Sequence, residues 1–144
     1  REKAVARAKA LSEEADKATE KANDTQNPND HYKAVQSHAA AGLANSAAAL
    51  HYEEGSAGRE EHDKATDYQQ SQYSNERLRE SVKCETSLKT QFNETQLQQI
   101  SEAETPDGFT WHHHQEIGRM QLVDTTTHLR TGHTGGKEIW GERR

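Results

Sequence analysis

Nine histidines stand among the 144 residues, and five of them, His112, His113, His114, His128 and His133, fall within one stretch of 22. Neutral imidazole is the commonest metal ligand, and its ordinary pKa lies near working pH, so the same side chain also serves as an acid or base. Three imidazoles on one divalent ion leave coordination positions open for water and a phosphate oxygen. A fourth, beside the ion but not bound to it, is a natural general base. For that chemistry His112 or His113 must converge with His128 and His133. Spacing alone leaves three readings open: a catalytic metal site, a structural metal site, or no metal. Cys84 is the only cysteine, which excludes an internal disulfide framework and any CxxC ribbon or redox pair. A metal would therefore be held by histidines and carboxylates.

The elements that must position these side chains are short. Phe109 to His114 mixes aromatic and polar residues as a strand does, and Met120 to Val123 is its antiparallel partner across Glu116-Ile117-Gly118-Arg119. Asp124 then caps a helix through Leu129-Arg130, which Gly132, Gly135 and Gly136 end. Alternate strand residues share a face, so His112 and His114 point one way and His113 the other. His128 and His133 are five apart, whereas neighbours on a helical face are three or four apart, so His133 is expected past the helix end, after Gly132. Upstream, Asn93 to Gln96 has the form of a helix start, Leu97 and Ile100 give a short apolar face, and Thr105-Pro106-Asp107-Gly108 breaks it. Trp111 and Trp140 read as core anchors.

The rest of the chain is helical and poor in large side chains. Seventeen of the 18 alanines precede Thr66, while only Val5, Leu11, Val35, Leu43 and Leu50 supply large aliphatic side chains before Glu76. Arg1 to Ala22 reads as an Ala/Lys/Glu helix and Asn23 to Asn29 as a break. Asp30 is expected to cap a second helix to about Glu54, with Val35, Ala39, Leu43, Ser46 and Leu50 as its buried seam. Gly55 to Gly58 is a turn, and a third, very polar helix runs from Arg59 to about Phe92, with Ser74-Asn75 as a point of interruption. His31, His38, His51 and His62 are read as helix-surface or seam residues. The expectation is an α+β chain, an Ala-rich helical hairpin or bundle over residues 1-92 followed by a small ββα unit over 93-144.

Charge and hydropathy narrow the function classes. The net charge is -6 and the mean hydropathy -1.21, so no stretch is apolar enough to cross a bilayer. Residues 104-144 carry five Lys and Arg against six Asp and Glu, and residues 1-103 carry 13 against 18. The acidic helical half is therefore expected to serve delivery, linkage or partner docking rather than to grip nucleic acid. Residue 1 is Arg and the one Met is Met120, so the chain reads as a piece of a longer polypeptide.

Taken together, Phe92, Gln96-Leu97, Ile100, Thr105 to His114, Gly118 to Val123, His128 and His133-Thr134-Gly135-Gly136 resemble the WHH-type nucleases of the HNH superfamily, carboxyl-terminal toxin domains of bacterial polymorphic toxins. The resemblance covers residues 88-144. It implies a ββα-metal fold that cuts phosphodiester bonds with one divalent ion, Mg, Mn, Zn or Ni. It assigns His112, His128 and His133 as ligands, with His114 as an alternative, and His113 as the general base. Arg119 and Arg130 become phosphate contacts, and Gln121 stands where the superfamily often uses Asn to orient the base. The partners implied are a nucleic acid, DNA favoured over RNA, and a cognate immunity protein. The implied route is translocation by a bacterial secretion or phage-like system into the target-cell cytoplasm. The competing class is a non-catalytic helical interaction module with a structural zinc mini-domain.

Overall fold

The structure, a computed structural model, describes residues 1–113, 120–126 and the backbone of 138–140. The chain divides into two compact units, Arg1–Glu76 and Arg77–Arg144.

The first unit is built from α1 (Glu2–Thr25), α2 (Pro28–Ala49) and α3 (Ala57–Cys84) as far as Glu76. α1 runs three residues beyond the expected end and stops at Gln26, which takes a left-handed conformation with φ 55° and donates its backbone N–H to the Ala22 carbonyl. α2 is capped by Asn27, whose side chain accepts from the Asn29 N–H, with Pro28 in the first turn. Asp30, the expected cap, is instead buried, accepting from the Thr25 hydroxyl at 2.7 Å with the Lys21 ammonium 3.9 Å away. α3 starts on Ser56, whose Oγ accepts from the Arg59 N–H. It passes unbroken through Ser74-Asn75 and ends at Cys84, short of the expected Phe92.

The buried seam of α2 differs from the expected one. Leu43 and Leu50 are 75% and 76% exposed, and the buried face is His31, Ala34, His38, Ala41, Asn45 and Ala48. The reason lies in the partners. α1 presents Ala8, Ala15 and Ala22, all fully buried at seven-residue intervals, and small side chains at such positions bring helix axes close. α3 presents His62, Gln69 and Glu76, also seven apart and buried. Each polar residue of this buried face meets one of α3. His31 Nδ1–H donates to Glu76 Oε1 at 2.8 Å, His38 Nδ1–H to Gln69 Oε1 at 2.6 Å, and His62 Nδ1–H to Asn45 Oδ1 at 3.1 Å. A step of seven up α2 is thus matched by a step of seven down α3, and three polar rungs cross the seam.

α1 completes two of these rungs. Thr19 Oγ lies 2.6 Å from His38 Nε2, and Asn45 Nδ2–H donates to Ser12 Oγ at 2.9 Å. Ser12 and Thr19 are seven apart; the next such position is Gln26, where α1 has ended. At the third rung His31 Nε2 and Glu76 Oε2 have no hydrogen-bond partner among the described residues. Beside the rungs, the Tyr68 hydroxyl donates to Asp16 Oδ1 at 3.1 Å. Burial, and then the Asp16 carboxylate, push the Tyr68 phenol up to about 12.

The second unit contains the end of α3, α4 (Thr86–Lys89), α5 (Glu94–Ser101), β1 (Phe109–His113), β2 (Met120–Asp124) and β3 (Glu138–Trp140). The strands form one antiparallel sheet in the order β1-β2-β3. The expected strand pair is present, and β3 is an addition: its three residues follow a glycine-rich stretch and are recruited by pairing with β2. Leu78, Val82, Leu88, Phe92, Ile100, Trp111, Met120 and Leu122 form the core of this unit. Phe92 meets Phe109 edge to face at 5.5 Å.

Candidate active site

The strand that carries the histidines is anchored through α5. Asn93 Oδ1 accepts from the Gln96 N–H, and Gln96 Oε1 accepts from the Asn93 N–H, a reciprocal capping box. The same Gln96 side chain donates through Nε2 to the Asp107 carbonyl at 2.8 Å, while Gln99 Oε1 accepts from the Asp107 N–H at 2.7 Å. Two side chains of one short helix thereby fix the loop that leads into β1. Gly108 follows with φ 85°, a conformation that favours glycine. Its carbonyl accepts from the Thr125 N–H at 2.8 Å. Thr110 and Thr125 hydroxyls also meet at 2.6 Å. The start of β1 and the end of β2 are therefore tied together by backbone and side chain.

The strand register then assigns the faces. Phe109 pairs with Asp124, Trp111 with Leu122 and His113 with Met120; Thr110 pairs with Val123 and His112 with Gln121. Directly opposed residues of an antiparallel pair share a face. Trp111, Met120 and Leu122 enter the core, so His113 lies at the end of the core-facing row, where the strand emerges and its side chain is exposed. His112 lies on the opposite face, half-buried, with Gln121 as its cross-strand neighbour. Val123 on that same face is only 4% exposed, so the His112 face is not open to solvent along its whole length.

Of the residues singled out in the sequence, the structure brings His112 and Gln121 together and places His113 on the other face. Arg119, His114, His128, Arg130 and His133 lie outside the described residues, as do the expected Glu116–Arg119 turn and the glycines at 132, 135 and 136. The expected helix after Asp124 is seen at its first step, Thr125 and Thr126 being helical. Among the described residues no group of three or more His, Cys, Asp or Glu is placed to hold a metal.

The residues that composition did not single out are the polar partners in the helical unit. His31, His38 and His62 are seam residues, each held by a carboxylate or amide from the facing helix. The signal for this was the repeat of seven in two helices at once, His31, His38, Asn45 and His62, Gln69, Glu76.

A comparison with known families identifies the chain over most of its length. The family described as DNase/tRNase domain of colicin-like bacteriocin matches residues 21–135, an interval that holds α2 and α3 as well as the histidine strand. No curated protein and no solved structure matches the chain.

Proposed function

We propose, from the premise that this chain belongs to the family of DNase/tRNase domains of colicin-like bacteriocins, that β1 and the segment following Thr126 form a metal-dependent phosphodiesterase site of the WHH type. Membership by itself makes the chain a nuclease toxin domain, acting on DNA or tRNA and delivered into target cells. It sets aside the reading of the chain as a non-catalytic interaction module. The observation that carries the finer proposal is the β1–β2 register, which separates His112 and His113 onto two faces while the hairpin ends are tied at Gly108, Thr110 and Thr125.

The donor set fits a divalent cation. His112 is a half-buried imidazole with an amide side chain beside it, a combination suited to holding a ring in one orientation. The segment with His128 and His133 follows closely on Thr125, which is anchored to Gly108 and Thr110. These three are the proposed ligands, with His114 as an alternative. When bound, Mg, Mn, Zn or Ni would stabilise negative charge on the scissile phosphate and on the departing oxygen. His113, exposed at the strand end, takes the proton of the attacking water on a ring nitrogen as the water oxygen bonds to phosphorus and the bond to the leaving oxygen breaks. Gln121, expected to orient the base, pairs with His112 and lies on the face opposite His113, so its proposed role is to position the ligand His112 instead. Arg119 and Arg130 contact phosphate oxygens.

DNA is the favoured substrate over RNA, a cognate immunity protein the expected partner in the producing cell, and a secretion or phage-like system the route of delivery. Residues 93-144 are assigned to catalysis and residues 1-92 to delivery, linkage or docking, docking of the substrate included. The test is incubation of the chain with plasmid DNA and with tRNA, each with Mg²⁺, Mn²⁺, Zn²⁺, Ni²⁺ or EDTA. Metal-dependent cutting should fall by about 10²–10⁴-fold in His113→Ala while the fold is retained. Cutting that is unchanged by EDTA, or by His113→Ala, would reject this assignment.

A further inference from the structure

We propose that the groove between α1 and α2, on the side away from α3, binds the phosphodiester backbone of the nucleic-acid substrate. The two helices pack antiparallel, and α3 occupies one of the two grooves they make, reached by Ser12, Asp16 and Thr19 of α1 and by His38 and Asn45 of α2. The opposite groove is open and encloses about 550 Å³. Lys17 and Lys21 line it from α1, and Lys33, Gln36 and Ser37 from α2, with Glu14 as its one carboxylate. Ala18 and Ala40 at its base leave room between the helices.

Charge decides the class of ligand. Residues 1-76 carry nine Lys and Arg against 14 Asp and Glu, so a groove lined by three ammonium groups and one carboxylate, with Asp30 paired to Lys21, keeps a positive excess of one and reverses the sign of its surroundings. Lys17 and Lys33 form no ion pair among the described residues, whereas Lys21 is paired with the Asp30 carboxylate at 3.9 Å. Lys17 and Lys21 are one helical turn, about 6 Å, apart along α1. Such a row meets successive phosphates, and neutral donors at Gln36 and Ser37 add hydrogen bonds to phosphate oxygens. Contacts of this kind carry no base information, which suits a domain class that acts on DNA or tRNA. The net acidity of the helical half therefore conceals a local site that the charge count alone excludes. The inference rests on the nuclease reading for the identity of its ligand.

The experiment is fluorescence anisotropy of the full chain in EDTA with a labelled DNA duplex and with labelled tRNA, over a range of salt concentrations. In the Lys17→Gln/Lys33→Gln variant the Kd should rise about tenfold, and the slope of log affinity against log salt should fall by about two. Lys17→Arg/Lys33→Arg should bind as the parent does. With metal present, the Gln variant should need several-fold more substrate for half-maximal cutting. An unchanged Kd and salt slope in the Gln variant, or no binding by the parent, overturns the proposal. So does displacement of the duplex by poly-glutamate at a lower charge concentration than tRNA requires, which would mark the groove as a surface for an acidic protein. If the parent binds through these lysines but cuts nothing in any metal, the nuclease assignment falls and the groove stands. If it cuts and the variant binds unchanged, the groove falls alone.

Discussion

At the scale of single residues, the polar side chains of the helical seam are costly to disturb one at a time. His38 is held at both ring nitrogens, by Gln69 and by Thr19, and removing one member of a buried pair leaves the other desolvated without a partner. His38→Leu is expected to lower stability by about 1–3 kcal/mol, and adding Gln69→Leu to recover part of that, because only the half-buried Thr19 hydroxyl then lacks its partner. Urea denaturation of the two single variants and the double variant measures the coupling. Tyr68 gives a pH prediction. An unfolded tyrosine loses its proton near pH 10, whereas the folded chain keeps this one to about 12. The folded state therefore holds more protons in that window, and stability falls as pH rises from about 10 through 12. The slope is softened because Tyr68 is 48% exposed. Tyr68→Phe should flatten the denaturation midpoint across this range. By residue type the histidines read as surface or seam, and which of the two applies, like the role of Tyr68, is settled only by the facing partner.

At the scale of elements, legibility followed locality. The cap at Asn93, the break before Gly108 and the β1–β2 pair rest on neighbours close in sequence, and they are found where the spacing puts them. The face of α2 is decided by α1 and α3, which lie elsewhere in the chain. The large aliphatic residues at 35, 43 and 50 trace a helical stripe, but alanines permit closer contact and the polar residues pair in layers, so Leu43 and Leu50 stay outside and Val35 is only half-buried. Leu43→Ser is accordingly expected to shift stability by no more than about 0.5 kcal/mol, in contrast to a buried leucine. A thermal melt checks it. β3 was not legible because three residues carry too little pattern, and its pairing with β2 is non-local.

At the scale of the whole molecule, the match from residue 21 takes in helices that lie outside the resemblance seen over 88-144. The carboxyl-terminal part announces itself through rare residue types in a fixed order, whereas helices made of Ala, Glu, Lys and Gln look alike in many proteins. Metal linkage is the prediction that belongs here. A cation that binds only the folded chain stabilises it by about 2.7 kcal/mol at 100 times its Kd. If the proposed site holds the ion, Zn²⁺ or Ni²⁺ should raise the melting temperature of the chain, EDTA should reverse the rise, and His112→Ala should reduce it, all readable by calorimetry without substrate. The rungs between α2 and α3 bear on how such domains diverge. Because each step of seven along one helix is answered by seven on the other, a single inserted residue in either would put every rung beyond it out of step. Lineages of this domain should lengthen or shorten the hairpin only in matched heptads, so that a gain in one helix is inherited together with an equal gain in its partner.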